Sequence, residues 1–120
     1  MKIVARSLIL LFVLLNFEGS AKTISFAEKR AQLITSWMEK KLELKPNQIP
    51  QIEALNLKCE KEIDRLSREK NGFSCMQAVR DSLLQKESEF RNILTSQQLE
   101  SYLKCKCELK KELKRYYSQL

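Results

Sequence analysis

The stretch ILTSQQLESYLKCKCELKKELKRYY, Ile93 to Tyr117, decides the fold class. Thr95 and Gln98 stand at the spacing of a capping box. The Thr95 hydroxyl is placed to accept from the N–H of Gln97 or Gln98, and the Gln98 side chain to reach back and close the box. Beyond them Leu99, Tyr102, Lys106, Leu109, Leu113, Tyr116 and Leu120 recur in alternating steps of three and four. That is a heptad seam with one charged interruption, which predicts a helix packed along another helix.

The rest of the chain carries the same texture. From residue 22 onward there is one glycine, Gly72, and two prolines, Pro46 and Pro50, among many Leu, Lys, Glu, Gln and Arg residues. So few breakers in a background of helix formers predict an all-α chain. No alternating strand pattern of useful length interrupts it. Ser25 with Glu28 three residues on opens a first helix, whose stripe is Ala27, Ala31, Ile34, Met38 and Leu42, widened by Leu33 and Trp37. Pro46 ends that run, because the residue before proline is pushed out of the helical region. A second helix is expected to start near Asn47 as N-cap, with Pro50 in its first turn and a stripe of Ile52, Leu55, Cys59, Ile63 and Leu66. Asn71-Gly72 stops it, glycine being free to take the left-handed conformation. The third helix carries Met76, Val79, Leu83, Phe90 and Ile93, and Thr95 starts the fourth.

Residues 1–21 read as a leader. Lys2 and Arg6 precede the apolar run LILLFVLL, which is too short to span a membrane, and Gly19-Ser20-Ala21 supplies small residues for cleavage after Ala21. Export is therefore expected, with residues 22–120 as a single helical domain. Taking Lys2, Arg6 and Glu18 from 22 basic and 15 acidic residues leaves 20 and 14, a mature charge of +6. A domain that small buries about 60–65% of its unfolded surface, so disulfides or dimerisation are natural supports.

Four cysteines, Cys59, Cys75, Cys105 and Cys107, face an oxidising compartment. Residues two apart on a helix point about 200° from each other, so Cys105 and Cys107 neither bond to each other nor share a metal on an intact helix. Cys105 falls at the margin of the seam and Cys107 largely outside it. If the helices fold back at Asn71-Gly72 and at Leu94-Thr95, position 59 lies level with about 84, and 84 with about 105. A Cys59–Cys105 bridge is then the natural intrachain pairing, provided the second and fourth helices are neighbours. Cys75 and Cys107 are left to pair between chains or stay free, and buried reduced thiols remain the plain alternative. No metal site and no cofactor are expected.

The sequence offers no enzyme chemistry either. There is no histidine, which removes the Ser-His, Cys-His and HExxH arrangements, and one glycine past the leader cannot form a phosphate loop. Glu60/Glu62 and Glu87/Glu89 read as surface charges. Lys104, Lys106, Lys110, Lys111, Lys114 and Arg115 crowd the last helix. They complement its dipole and give a field suited to acidic partners, weakened by salt. Nucleic acid is a poor partner for an exported chain without a recognition motif.

LTSQQ, Leu94 to Gln98, matches the LTxxQ motif of the Spy/CpxP family of bacterial periplasmic proteins, and LELKPNQ, Leu42 to Gln48, resembles a degenerate first copy. In that copy Leu44 and Gln48 are in place and Lys45 stands where threonine is expected. With the leader and the four-helix rhythm, the chain resembles the small Spy-like members of Bacteroidetes over nearly its whole mature length. The resemblance implies an elongated, bent helical hairpin that dimerises antiparallel into a cradle. It also implies an ATP-independent chaperone, located in the periplasm, that holds unfolding client proteins on a basic, partly apolar concave face. Other members of the family restrain an envelope-stress sensor kinase or bind metals, so a kinase-binding or metal-responsive regulator is the second expectation. A small secreted helical effector acting on a host receptor is the third. The motif residues Leu44, Gln48, Leu94, Thr95 and Gln98 are expected to shape helix starts and turns, not to contact clients. The four cysteines depart from the family pattern.

Overall fold

The computed structural model describes residues 24–119, so the expected leader and its cleavage site lie outside the described residues. Four helices follow one another: α1 (Phe26–Leu42), α2 (Ile49–Glu69), α3 (Gly72–Phe90) and α4 (Ser96–Ser118). Among the described residues no helix is long and apolar enough to cross a membrane.

Ser25 caps α1, its hydroxyl accepting from the Glu28 N–H at 3.2 Å. The expected stripe is the buried face: Ala27, Ala31, Ile34, Met38 and Leu42, with Thr35 among them. Glu43 ends the helix in the left-handed region at φ 51°, a conformation that costs a non-glycine residue of order 1–3 kcal/mol. The turn brings Leu44 into the core. α2 starts one residue later than expected. Gln48, not Asn47, is the capping position, and no side chain caps the helix there. Pro50 sits in the first turn, where its missing N–H costs least. Between α2 and α3 only Lys70 and Asn71 intervene, and Gly72 takes φ +55°, which glycine adopts without a Cβ penalty.

The two central helices α1 and α2 pack on each other, α3 packs on the outer side of α2, and α4 packs along α1. The α2–α3 hairpin sets Cys59 opposite Ser82 and Leu66 opposite Cys75, within two residues of the level expected for Cys59. The core runs through Ile34, Met38, Leu42, Leu44, Ile52, Phe90, Leu94, Tyr102 and Leu109. Phe90 and Tyr102 meet edge to face, with centroids 5.3 Å apart, and close the α3–α4 corner.

Two features run against the sequence pattern. First, the expected stripe of α3 packs only at its C-terminal end, through Phe90 and Ile93. Met76 is 70% exposed and Leu84 54%, and Leu83 is also exposed. Cys75, Ala78, Ser82 and Lys86 lie toward α2 instead, and only Phe90 at the end of the helix is fully buried. Second, the α1–α2 interface holds polar groups. Asn56 is fully buried and donates to Thr35 Oγ1 at 3.0 Å, while among the described residues its Oδ1 has no partner. Glu60, expected on the surface, is buried beside Arg30 at 3.6 Å.

These two sites respond in opposite ways to apolar substitution. Phe90→Ala should cost about 3–5 kcal/mol, because truncation of a fully buried ring leaves a cavity. Asn56→Leu should be close to neutral or stabilising by about 1 kcal/mol, since it removes a buried oxygen that nothing satisfies and leaves Thr35 bonded to the Ala31 carbonyl. Urea unfolding followed by helical circular dichroism measures both.

Candidate functional site

The two LxxxQ segments come together. In the second copy, Thr95 Oγ1 accepts from the Gln98 N–H at 3.1 Å and Gln98 Oε1 accepts from the Thr95 N–H at 3.0 Å, a complete capping box. In the first copy the Gln48 half is retained, since Gln48 Oε1 accepts from the Lys45 N–H at 2.9 Å. Lysine offers no hydroxyl for the other half. The two carboxamides then bond to each other: Gln48 Nε2 donates to Gln98 Oε1 at 2.8 Å, and Gln98 Nε2 donates to Gln48 Oε1 at 3.0 Å. Each amide also donates to the backbone of the opposite turn, Gln48 to the Ile93 carbonyl at 2.9 Å and Gln98 to the Leu42 carbonyl at 3.2 Å. Leu44 and Leu94 are buried on the core side of the same pair of turns. The result is a local pseudo-two-fold clasp. The expectation that these residues shape turns was too local, because each glutamine also holds the other turn.

With the α1–α2 and α3–α4 turns clasped at one end, α3 and α4 touch near the clasp and part beyond it. Their divergence leaves a groove of about 460 Å³ floored by Ile34 of α1 and Glu60 of α2. Leu83 and Leu84 of α3 form one wall, and Tyr102, Leu109 and Leu113 of α4 the other. Arg80, Lys86, Lys106 and Lys110 stand in it against two carboxylates, Glu60 and Glu87. Both carboxylates are engaged, Glu60 by Arg30 and Glu87 by Lys106 at 3.1 Å. Burial pushes the Glu60 carboxyl up from its ordinary value, against the pull of Arg30 and Lys86. Burial likewise raises the Tyr102 hydroxyl, with the Glu87 charge adding to the effect. Phe73, 76% exposed, and Met76 extend the apolar wall toward the N-terminus of α3, at helical spacing from Arg80 and Leu83.

The cysteines are free thiols. The Cys59–Cys105 bridge required α2 and α4 to be neighbours, and α4 lies along α1 instead. Cys59 packs on α3, with its Sγ 3.7 Å from Ser82 Oγ. Cys75 points its Sγ at the Leu66 carbonyl oxygen, 3.7 Å away. Cys105 is half-buried and Cys107 exposed, as the helical wheel places them. Of the basic tail, Lys106 turns into the groove, while Arg115 pairs with Glu112 on its own helix. Lys104, Lys110, Lys111 and Lys114 are exposed.

No protein-family model, curated protein or solved structure matches the chain.

Sequence reasoning found every member of the clasp but not their mutual bonds. It missed Arg80 and Lys86, two cations that flank Leu83 and Leu84.

The clasp predicts a measurable coupling. Gln48→Ala and Gln98→Ala should each destabilise by about 2–3 kcal/mol, since each strands partners at the turns. The double variant should cost about 1–2 kcal/mol less than the sum of the two in a double-mutant cycle. Lys45→Thr should shift stability by no more than about 0.5 kcal/mol, because the Gln48 N–H already donates to the Lys45 carbonyl at 2.8 Å; a larger gain in the unfolding midpoint would show that the hydroxyl displaces that bond.

The thiols should separate by rate. Cys107 should react first with an aromatic disulfide reagent at neutral pH and Cys59 last, because burial both shields Cys59 and pushes its thiol up. Raising the pH through the elevated Cys59 range should accelerate its reaction, because the thiolate is the reactive form. Mass spectrometry of partly labelled protein assigns the order.

Proposed function

We propose that this chain is an exported, periplasmic, ATP-independent chaperone-like protein that holds unfolding proteins on the α3–α4 side of the molecule. The observation that carries the reading is the combination found there: exposed apolar side chains at Phe73, Met76, Leu83 and Leu84, beside Arg80, Lys106 and Lys110. Cations speed the encounter with acidic, partly unfolded chains. The apolar wall then supplies weak, non-directional contact, and lysine and arginine stems cover apolar surface while their heads stay wet. A contiguous apolar face left open on a small protein marks an interaction surface. The clasped turns fit the resemblance in the two LxxxQ segments, which adds an elongated bent hairpin and an antiparallel, cradle-like homodimer to the proposal. None of this chemistry needs a cofactor or an active site, so the reading is of a binding protein and not an enzyme.

The chain from Lys22 onward should suppress aggregation of several unrelated denatured proteins at equimolar amounts without ATP, and less well at high salt. Phe73→Ser/Met76→Ser, which alters exposed positions, should reduce suppression severalfold at unchanged helicity. Failure with every client at severalfold excess would overturn the reading in favour of a single saturable partner, such as the periplasmic domain of a sensor kinase.

A further inference from the structure

The deepest cation of the α3–α4 groove is Lys86. It is 5% exposed, and among the described residues no carboxylate lies within ion-pair distance of its ammonium. Its Nζ lies 5.6 Å from the centre of the Phe90 ring, its charge acts on the Glu60 carboxylate without a direct pair, and its side chain borders both this groove and the α2–α3 cleft. Glu60, which also lines the groove, is held by Arg30. A lysine side chain is seldom this covered unless paired, and its Nζ keeps contact with solvent in place of a protein partner. Among the described residues Arg80 and Lys110, on opposite walls, likewise have no ion partner. Four cations against two carboxylates leave the groove with a local excess of two positive charges.

We propose that this groove binds a single-chain carboxylate amphiphile of fatty-acid type, with its carboxylate at Lys86 and its alkyl chain between Leu83, Leu84, Leu109 and Leu113. The volume of about 460 Å³ lies within the roughly 300–1,000 Å³ of small-molecule pockets, and an apolar lining with a few convergent polar groups is their usual composition. Charge complementarity selects the head. A carboxylate supplies the anion that Lys86 lacks, and charge-assisted bonds are about twice as strong as neutral ones. The apolar lining selects the tail. Ile34, Leu109 and Leu113 offer no partners for the N–H and C=O groups that an extended peptide would bring, whereas an alkyl chain carries none. The groove shares Leu83, Leu84, Arg80, Lys106 and Lys110 with the surface assigned to clients, whereas Lys86, Leu109 and Leu113 belong to the ligand site alone.

The test is titration calorimetry of the chain from Lys22 onward with decanoate below its micelle concentration. Decyl maltoside serves as the uncharged equivalent, and an acidic amphipathic helical peptide as the alternative ligand. One decanoate should bind per chain, at least tenfold more tightly than decyl maltoside. Lys86→Met should weaken decanoate about tenfold or more and leave decyl maltoside unchanged, the loss expected for one bond to a charged group. Leu84→Gln, at an exposed position that the core does not need, should weaken both alkyl ligands and tests the site even if Lys86→Met does not fold. Equal binding of the two alkyl ligands, decanoate affinity indifferent to Lys86→Met or Leu84→Gln, or binding of the peptide but not of decanoate would each overturn the proposal. Because aggregation suppression is measured separately, loss of one property leaves the other standing.

Discussion

The fold depends on one reciprocal pair of side-chain amides. A glutamine carboxamide has two N–H donors and an oxygen with two lone pairs. In Gln48 and Gln98 all of these are used, each oxygen by its own turn and by the opposing amide, each nitrogen by the opposing amide and an opposing carbonyl. Such a pair tolerates no sliding. It fixes the start of α2 against the start of α4, while α1 packs on both helices. Buried networks of this kind are favourable only when every member is satisfied, and here every member is.

A clasp at one end has a geometric corollary at the other. α3 and α4 are pinned at the Phe90–Tyr102 contact and the Glu87–Lys106 pair, and among the described residues no further side-chain hydrogen bond or ion pair joins them. The groove opens where that restraint ends. Its floor carries the charges that would be most expensive in a closed core, Glu60 beside Arg30 and Lys86 over an aromatic face. Closing α3 onto α4 would bury Arg80 and Lys110 as well, so the openness has an electrostatic cause as well as a steric one.

The sequence was most legible where a local rule and the tertiary structure agreed. Ser25, Pro46, Asn71-Gly72 and the Thr95–Gln98 box mark their boundaries because capping, proline sterics and glycine freedom act within a few residues. The α1 stripe is read correctly because its periodicity is the only apolar one the helix has. α3 misleads because it has two candidate faces. The richer one, with Met76, Leu83 and Leu84, stays open, while Ala78, Ser82 and Cys75 pack on α2 because small side chains let that helix approach. The Gln48–Gln98 bonds are invisible to spacing, since nothing in a one-dimensional pattern says that two caps fifty residues apart will share their donors. Cys59–Cys105 failed for the related reason that levels along an axis do not say which helices are adjacent.

The way α3 is attached has a bearing on how the molecule opens. Its interface with α2 is built from small and polar side chains, with Cys59 against Ser82 and Cys75 against a carbonyl, so little apolar area is returned to water when it separates. Phe90 at its C-terminal end is the one large side chain of α3 that is fully buried. Native proteins come apart in cooperative units, and the units with the fewest buried apolar contacts open at the lowest free energy. The N-terminal part of α3 is therefore the segment whose amides should exchange with solvent through a partial, sub-global opening, swinging about the Phe90 anchor while the clasped turns and the α1–α2 pair hold.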